Sequence, residues 1–582
     1  MIKILRYITP KEWLCILIVL ALSVFQVLLD LRLPGFMSRI TVLVQTPGVE
    51  ISEIWHNGGL MLLCALGSLV CVIAICLIAS RVAAAQAMRL RGMVFDRVQM
   101  FSMEEVARLS VPSLITRSTN DITQVQLFFI AGVQMLLKVP VLLIGGIWKI
   151  AGLAAEWMLA TAAAAVFMLI VVTIVMIIVL PKFHKMQERL DRMNLLIRES
   201  LTGRFVVRAF NAEEFQTAKS ELANESFTQI DLHTNRAMAA TSPAMSIASN
   251  GLTVAVYIIG AYLISSAGAV EALDRFSDLV VFTAYVALIM TAMKFIIKTV
   301  PRFPRAMVSA GRINEVLETM PAIADGNVTE AHPETSIVFN NVAFRYPGAV
   351  RNAISNISFT ARKGETVAFI GSTGSGKTTL MSLIPRLFAA TEGEILINNV
   401  DVRDYSKNSL ANKIGYVPQK PVLFKGTVRS NIAYGESGKG LYSDEDIEYA
   451  ANVAQADEFI RALDGGYDAA VAQGGTNFSG GQKQRLSIAR AVCRRPEIYI
   501  LDDSFSALDY KTDRDLRAAL KSAAAGAVCL IVAQRIGTVM DADQIIVLHN
   551  GEIAGKGTHS ELLQTCRVYW EIAESQMTGK LN

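Results

Sequence analysis

The sequence predicts an all-α membrane domain of six transmembrane helices followed by an α/β domain of the P-loop type. Long apolar runs with few or no charges lie before residue 300, and almost none lie after it. From about Ser336 the pattern changes to alternating strands and helices. Within that second half, a glycine-rich turn lies between an apolar strand and a helix, an order that is typical of a phosphate-binding loop.

The composition agrees with a membrane domain joined to a soluble one. At 582 residues the chain is long enough for several domains, and its 52% hydrophobic content exceeds that of ordinary soluble proteins. The net charge of +4 is small for this length and gives no case for a nucleic-acid partner. No CxxC pair is present, so we interpret the cysteines of the apolar runs as small buried residues. These are Cys15, Cys64, Cys71 and Cys76.

Six segments are long and apolar enough to cross a bilayer, since one crossing needs about 20 apolar residues. Segments 59–80 and 157–180 contain no charged residue. Near the end of the last segment, Lys294 and Lys298 can reach toward the headgroups and let the helix continue. The predicted spans are 13–37, 59–80, 128–148, 157–180, 245–268 and 279–300.

Basic residues orient these spans. Segments 81–127 and 181–236 carry most of the Lys and Arg residues of the membrane half, whereas Arg39, Lys149 and Arg275 stand alone in the other connections. The positive-inside rule therefore places both long segments, both termini and the α/β domain in the cytoplasm. In both segments charged and apolar residues alternate at helical spacing, so we expect the membrane helices to extend into the cytoplasm.

Charged residues within the spans are candidates for a transport path, because ionisable groups are costly in a bilayer. Lys138, shortly before Pro140, is the most central. Either it is a structural group that pairs with a carboxylate of another helix or faces a wet cavity, or it contributes to transport. Asp30 and Arg32 lie near the outer end and can reach headgroups. We keep Lys138 and Asp30 as candidates, and neither identifies a substrate.

The stretch TVAFIGSTGSGKTTL fits the pattern G-x-x-x-x-G-K-[ST] from Gly371 to Thr378. Its glycines let backbone N–H groups turn toward a β-phosphate. Lys377 is predicted to bridge the β- and γ-phosphates, and the Thr378 hydroxyl to bind Mg²⁺. The pattern alone should occur by chance in about 2% of chains of this size. The predicted nucleotide-binding residues here are Gly371, Ser372, Thr373, Gly374, Ser375, Gly376, Lys377, Thr378 and Thr379.

Two further stretches complete this chemistry. Asp502 ends the apolar strand at 498–501 and is predicted to be the second magnesium contact. In NFSGGQKQRLSIARAV, Ser479 can cap a helix, while Gly480 and Gly481 leave its first N–H groups uncovered. The sequence thus predicts a second anion-binding site at this helix terminus.

In these motifs and their order, the chain resembles a half-transporter of the ATP-binding cassette (ABC) superfamily, in the exporter arrangement with the membrane domain first. FSGGQ resembles the family signature LSGGQ. The resemblance implies that Tyr346 in VAFRYPG stacks on adenine, and that Gln419 in GYVPQ contacts magnesium. It implies that SALD, ending at Asp509, communicates across a dimer. It also implies that LITRSTNDI (114–122) and GRFVVRAFNAEEF (203–215) are cytoplasmic coupling segments.

The resemblance further implies the cofactors ATP and Mg²⁺, in a nucleotide-binding domain over 336–582 that follows a transmembrane domain over 1–320. In this family two such domains meet head to tail, and each ATP lies between the phosphate loop of one and the signature of the other. A functional unit therefore needs a second chain. The resemblance also implies a bacterial plasma membrane as the location and a hydrophobic or amphipathic small molecule as the substrate. The signature residues acting on the partner's ATP are Ser479, Gly480, Gly481 and Gln482.

Two residues depart from the family pattern. Asp503 stands where the catalytic glutamate is expected, and Gln534 where the switch histidine is expected. Shortening Glu by one methylene withdraws the carboxylate by about 1.5 Å, and a misplacement of about 1 Å can cost on the order of 100-fold in rate. Either both residues are tolerated variants, or the chain is the degenerate half of a heterodimer similar to bacterial multidrug-type exporters, with hydrolysis mainly at the site shared with the partner.

These residues are also compatible with other functions. One alternative is an importer that uses the exporter fold, as some siderophore carriers do, and directional flux in vesicles separates the two. A homodimeric exporter is another. A nucleotide-gated regulatory module is a third, and it predicts ATP-driven conformational change without flux. The membrane spans exclude a soluble P-loop enzyme.

Overall fold

The computed structural model describes residues 2–46, 48–151, 155–266, 268–299, 302–329, 336–435 and 440–577. They form two compact units, a helical one and an α/β one. The α/β unit consists of the chain from Met320 onward together with Gln99–Val111, a segment that the sequence assigned to the transmembrane domain. Parts of the predicted spans and boundaries, at residue 300, at 330–335 and at 578–582, lie outside the described residues.

The helical unit is built from long helices because a helix satisfies every backbone polar group internally, as a bilayer requires. A capping box formed by Thr9 and Glu12 starts the first long helix. The helices before the α/β domain are α1 (Ile2–Leu5), α2 (Pro10–Gln45), α3 (Ile51–Gln99), α4 (Met103–Leu109), α5 (Val111–Ser118), α6 (Asn120–Ile150), α7 (Ala155–Thr202), α8 (Arg204–Ala209), α9 (Glu213–Ala239), α10 (Thr241–Ser265), α11 (Ala269–Thr299) and α12 (Arg302–Glu318).

Five helical stretches among the described residues are long and apolar enough to cross a membrane. They are Pro10–Gln45, Ile51–Gln99, Ala155–Val179, Glu213–Ser265 and Glu271–Ile296. The predicted span 128–148 lies within α6, where the side chains of 133–137 are outside the described part, so the count of six stays a prediction. Helix α10 ends at Ser265, with Ser266 as its C-cap, and not at the predicted 268; residue 267 of that predicted span lies outside the described residues.

A buried aromatic group holds the helical unit together. Trp157 is fully buried, its ring lies 5.2 Å from that of Phe282, and its indole N–H donates to the Val256 carbonyl at 3.2 Å. This pairing of a large apolar surface with a satisfied polar atom is what a buried tryptophan requires.

The cysteines of the helical unit are less uniformly buried than the sequence predicts. Cys71 is buried and Cys15 and Cys64 are half-buried, but Cys76 is exposed on α3. The prediction is therefore wrong for Cys76, because α3 is buried along one face only and Cys76 lies off that face.

The α/β unit contains three sheets. A six-stranded sheet has the order β12-β11-β3-β10-β9-β6 and is parallel except for β12, and a four-stranded antiparallel sheet has the order β2-β1-β4-β5. A short ribbon pairs β7 with β8. The strands are β1 (Ser336–Phe344), β2 (Ile354–Arg362), β3 (Thr366–Gly371), β4 (Glu392–Ile397), β5 (Val400–Asp401), β6 (Ile414–Val417), β7 (Gly426–Thr427), β8 (Ala470–Val471), β9 (Ile498–Asp502), β10 (Val528–Val532), β11 (Gln544–His549) and β12 (Glu552–Gly557).

Helices cover the parallel sheet, which explains why strands such as β9 and β10 are buried along their whole length. The helices after Met320 in the described residues are α13 (Lys377–Leu383), α14 (Lys407–Lys413), α15 (Val428–Ile432), α16 (Asp444–Val453), α17 (Asp457–Arg461), α18 (Gly480–Cys493), α19 (Tyr510–Ala523), α20 (Ile536–Val539), α21 (His559–Thr565) and α22 (Arg567–Met577).

The register of the parallel sheet assembles the candidate site. Val532 on β10 lies opposite both Phe369 on β3 and Asp502 on β9. The carboxyl ends of these strands therefore meet at one edge, where ligands bind in open α/β sheets. That edge carries the phosphate-binding loop, Asp502 and, two residues beyond Val532, Gln534.

Candidate nucleotide-binding site

The loop after β3 requires glycine at particular positions. Gly374 and Gly376 have φ of +83° and +99°, in the left-handed region that L side chains rarely adopt. A Cβ on Gly376 would lie 2.5 Å from Ile354 Cγ2, whereas one on Gly374 would meet nothing within 4 Å. Gly376 is thus fixed by packing as well as by its backbone, while the loop is open at Gly374.

Lys377 lies inside this loop. Only 8% of the residue is exposed, and its Nζ donates to the carbonyl oxygens of Gly371 and Ser372 at 2.8 Å each. Burial lowers the pKa of Lys377, and the nearby charges of Asp503 and Asp502 oppose that shift. A buried ammonium group in a glycine-rich loop before a helix is suited to bind phosphate.

Asp502 and Thr378 form the centre of the candidate metal site. The Thr378 hydroxyl donates to Asp502 Oδ1 at 3.1 Å, and Asp502 is 1% exposed. Its buried Oδ2 has no hydrogen-bond partner among the described residues. Burial is the main cause that raises the pKa of Asp502. A buried carboxylate oxygen without a partner is costly, and a carboxylate beside a hydroxyl is the oxygen donor set that Mg²⁺ prefers. These residues fit a magnesium ion.

The Asp503 carboxylate accepts hydrogen bonds from two side-chain amides, one of which belongs to Gln534, the other departure from the family pattern. Gln534 Nε2 donates to Asp503 Oδ2 at 2.9 Å, and Gln419 Nε2 donates to the same oxygen at 3.3 Å. The Asp503 backbone has φ of +48°, and its N–H donates to the Val532 carbonyl at 3.0 Å. The structure therefore brings Gln419, Asp503 and Gln534 together in one hydrogen-bonded group.

A residue that the sequence did not single out fixes the backbone beside Gln534. Gln576 on α22 donates from Nε2 to the Gln534 carbonyl at 2.8 Å and accepts the Ile536 N–H at 2.7 Å. Both hydrogen bonds come from one side-chain amide, so α22 clamps the loop after β10. No pattern around Gln576 indicates this, because the contact joins segments about 40 residues apart.

Tyr346 lies close to the phosphate-binding loop. Its hydroxyl shares a 2.9 Å hydrogen bond with the Thr379 hydroxyl, and its ring meets those of Phe344 and Phe388 edge to face. Tyr346 is 38% exposed. Its ring borders a cavity of about 310 Å³, which leaves apolar surface available for a base to stack.

The signature segment has the predicted helix start. Ser479 caps α18 in a capping box with Gln482, and Ser479 and Gly480 are exposed. A Cβ on Gly481 would lie 3.2 Å from the Ala507 carbonyl oxygen, so this helix packs closely on the loop that leads to Asp509. Asp509 itself caps α19 by accepting the Thr512 N–H at 3.0 Å. Within the described part of the chain, no hydrogen bond joins the signature to the phosphate-binding loop.

The two charged candidates of the membrane spans have different surroundings. Asp30 accepts hydrogen bonds from Ser68 Oγ at 2.6 Å and from Gln26 Nε2 at 3.4 Å, so it joins α2 to α3. Lys138 is half-buried, and it forms no ion pair with any residue that the structure describes. The carboxylate partner considered for Lys138 is thus not found among the described side chains.

Comparison with known proteins identifies the family. Residues 354–506 match a family model described as ABC transporter, and residues 16–293 match one described as ABC transporter transmembrane region. The chain belongs to the ABC transporter family. An uncharacterized ABC transporter ATP-binding protein of Mycobacterium tuberculosis is 38% identical to this transporter over 523 residues, which cover 89% of this chain and 87% of that protein.

Two further comparisons describe this ABC transporter. An ATP-dependent lipid A-core flippase of Syntrophus aciditrophicus is 32% identical over 499 residues, covering 84% of this chain and 80% of that protein. A bacterial Atm1-family ABC exporter with ATP bound has the same fold, with a TM-score of 0.81, 24% identity, and coverage of 97% of this chain and 99% of that one. The transporter is therefore a multi-pass membrane protein whose ATP-binding domain drives transport.

Proposed function

We propose that this ABC transporter is one half of a heterodimeric exporter, in which its own phosphate-binding loop holds ATP and hydrolyses it slowly. One observation carries the proposal: the residue after the metal-binding Asp502 is Asp503, whose carboxylate is held by two side-chain amides. The ATP-binding groups are complete, whereas the groups expected to activate water are altered.

The chemical reason is that the Asp503 side chain is shorter than that of glutamate and that the Gln534 side chain does not titrate. The Asp503 carboxylate ends about 1.5 Å short of where a glutamate would place it, and such a displacement can cost on the order of 100-fold. Gln534 can donate a hydrogen bond to a γ-phosphate but cannot take up and release a proton near neutral pH as histidine can. Both changes weaken the same step, the activation of the attacking water.

The signature supports a shared active site. Ser479 and Gly480 are exposed at the start of α18, where uncovered N–H groups favour an anion. On this proposal the segment Ser479–Gln482 contacts ATP held by the partner, and the partner supplies the catalytic glutamate and histidine. Asp509, next to the signature, would lie at the contact between the two chains.

Thr378 and Asp502 would hold magnesium, with Gln419 joining them after leaving Asp503. When bound, the ion neutralises charge that develops on the transferred phosphoryl group. Tyr346 would stack on adenine, and Lys377 would leave its carbonyl partners to bind phosphate. The chain itself positions these groups and excludes water from Asp502.

Six spans with both termini in the cytoplasm remain our proposal for the membrane domain over 1–320, followed by the nucleotide-binding domain over 336–582. The distribution of basic residues supports this orientation. The similarity to lipid A-core flippases favours a lipid or another amphipathic compound as substrate. Lys138 and Asp30 would then lie along or beside its path.

Three alternatives predict different measurements. An importer of the same fold moves substrate in the opposite direction, and a homodimeric exporter hydrolyses ATP without a partner. A regulatory module changes conformation with ATP but transports nothing. None of these follows from a specific contact in the site, whereas the altered Asp503 and Gln534 favour the asymmetric exporter.

The decisive experiment is purification of the tagged chain from native membranes, with an ATPase assay of the product. The proposal expects an equal amount of a homologous chain that carries Glu and His at the positions of Asp503 and Gln534. Replacing that partner glutamate by glutamine should abolish hydrolysis. Isolation of the chain alone as a homodimer with rapid hydrolysis would overturn the proposal.

A further inference from the structure

The first turn of helix α4 contains a buried carboxylate. Glu105 is 4% exposed, and three uncharged donors surround its side chain. The backbone N–H and the hydroxyl of Ser102 donate to Oε2 at 2.7 and 2.6 Å, and the N–H of Ala322 donates to Oε1 at 3.0 Å. Glu105 thus closes the capping box of its own helix with one oxygen and binds the linker after α12 with the other.

The linker is in turn fixed to the α/β unit by its backbone. The N–H of Gly326 donates to the Tyr405 carbonyl at 3.1 Å, and the N–H of Val328 donates to the Asp404 carbonyl at 2.9 Å. A Cβ on Gly326 would overlap the Asp404 carbonyl oxygen, so the linker lies directly against that segment. The linker therefore cannot shift here without breaking these bonds.

Helix α4 also contacts chain segments next to the nucleotide site. The Met103 N–H donates to the Leu387 carbonyl at 3.4 Å, just beyond α13, the helix that begins at Lys377. Glu105 thus joins two segments, α4 and the linker, that are each bonded to the α/β unit by their own backbone.

We propose that Glu105 is a positioning residue that couples the cytoplasmic end of α3 to the linker through the Ala322 N–H. By this coupling α4 and the linker follow the ATP-binding unit as one body. A movement of that unit then reaches the membrane domain at two points of the chain together, through α3 and through α12. The proposal rests on ATP-driven conformational change, and it does not depend on the asymmetry of the catalytic site.

Physical chemistry makes this contact hard to replace. Burial disfavours a charged carboxylate, but the hydrogen bonds from Ser102 and Ala322 outweigh that cost and lower the pKa of Glu105. The group is therefore charged at neutral pH, and each of its donors is bound to a charged acceptor, which strengthens the bond. Loss of one bond leaves a buried polar group without a partner.

Substitutions can separate the linker contact from the helix cap. In Glu105→Gln the amide oxygen should stay with the two donors of Ser102, so that its NH₂ group faces the Ala322 N–H and breaks that contact alone. Ala322→Pro removes the same donor from the other side. Ser102→Ala weakens the cap but leaves the Ala322 contact. Glu104→Gln is the matched control, because Glu104 is the exposed neighbour.

The measurement is hydrogen–deuterium exchange by mass spectrometry of the complex as purified from membranes, in lipid nanodiscs, with and without ATP, Mg²⁺ and vanadate. For Glu105→Gln and Ala322→Pro we expect unchanged ATP binding and an unchanged exchange response in the ATP-binding domain, but loss of the response in peptides from 51–98 and 112–150. Ser102→Ala and Glu104→Gln should respond as the wild type.

The double variant tests whether Glu105 acts through Ala322. If it does, Glu105→Gln should have no further effect in the Ala322→Pro background, because the energies of two groups in one contact are not additive. A full membrane-domain response in either single variant would overturn the proposal. So would an additional loss in the double variant, or a loss in Ser102→Ala equal to that in Glu105→Gln, which would assign the effect to the helix cap.

Discussion

The side-chain amide of Gln534 donates a 2.9 Å hydrogen bond to Asp503 Oδ2, so the two residues that depart from the family pattern contact each other. Gln419 donates to the same oxygen at 3.3 Å. Both amides therefore bind one oxygen of the Asp503 carboxylate, and Oδ1 is the oxygen that they leave to approach water. The Gln534 amide thus serves as a hydrogen-bond donor to the carboxylate of Asp503.

Replacement of the Asp503 carboxylate should change the rate of ATP hydrolysis and the retention of nucleotide little. In Asp503→Asn the amide oxygen can still accept from Gln534, so we expect nearly unchanged ATP turnover and nucleotide retention by the purified complex. Asp502→Asn should lose tightly bound nucleotide, because it removes the charge of a buried oxygen that has no hydrogen-bond partner among the described residues. Steady-state phosphate release and retained radiolabelled ATP measure both effects. A large loss of turnover in Asp503→Asn would identify Asp503 as a working base.

The sequence predicted the parts of this site that depend on local pattern. The turn from Gly371 to Gly376 and the capped helix at Ser479 follow from residues that are adjacent in the chain. The convergence of Asp503 and Gln534 on one chemical step was also predicted, although not the hydrogen bond between them. Parallel strand order places them together, and strand order is not readable from a single short stretch.

Contacts between distant segments could not be predicted. Gln576 lies on an exposed helical surface and has no pattern around it, and Glu105 looks like an ordinary first-turn acidic residue of a helix. Their partners are 42 and 217 residues away in the sequence. In the membrane half, apolar content predicted helices but not their ends, such as the end of α10 at Ser265.

Removal of the Gln576 side-chain amide should make the loop after β10 less ordered. Gln576→Ala removes two hydrogen bonds from the loop after β10, each worth about 0.5–1.5 kcal/mol. We expect faster amide exchange at 533–536 and a faster release of bound ATP, while the fold is kept. Ser575→Ala is the control, since the Ser575 hydroxyl bonds only within its own helix at Ile572. Equal exchange in both variants would show that the clamp does not order the loop.

Two glycine variants of the phosphate-binding loop should lower the affinity for ATP to different degrees. Gly376→Ala places a Cβ 2.5 Å from Ile354 Cγ2 and also adopts a left-handed backbone, so we expect loss of ATP binding. Gly374→Ala has open space and carries only the backbone cost, about 1–2 kcal/mol. Its affinity should therefore fall by about tenfold, following the equivalence of 1.4 kcal/mol to a factor of ten. Titration with a fluorescent ATP analogue ranks the two, and a reversed order would contradict the packing at Gly376.

Two buried thiols of the ATP-binding domain predict protection from alkylation. Burial raises the pKa of Cys529 to about 12 and that of Cys493 to about 11. Only the thiolate reacts, so at pH 8.5 both should resist iodoacetamide in the folded transporter. Because the folded pKa lies above the unfolded value near 8.5, the folded state loses stability as the pH rises from there toward the folded pKa. Mass spectrometry of tryptic peptides measures the modification, with urea-unfolded protein as the control in which both should react. Rapid labelling of folded Cys529 at pH 8.5 would show that β10 opens readily, against its place between β3 and β9 at the centre of the sheet.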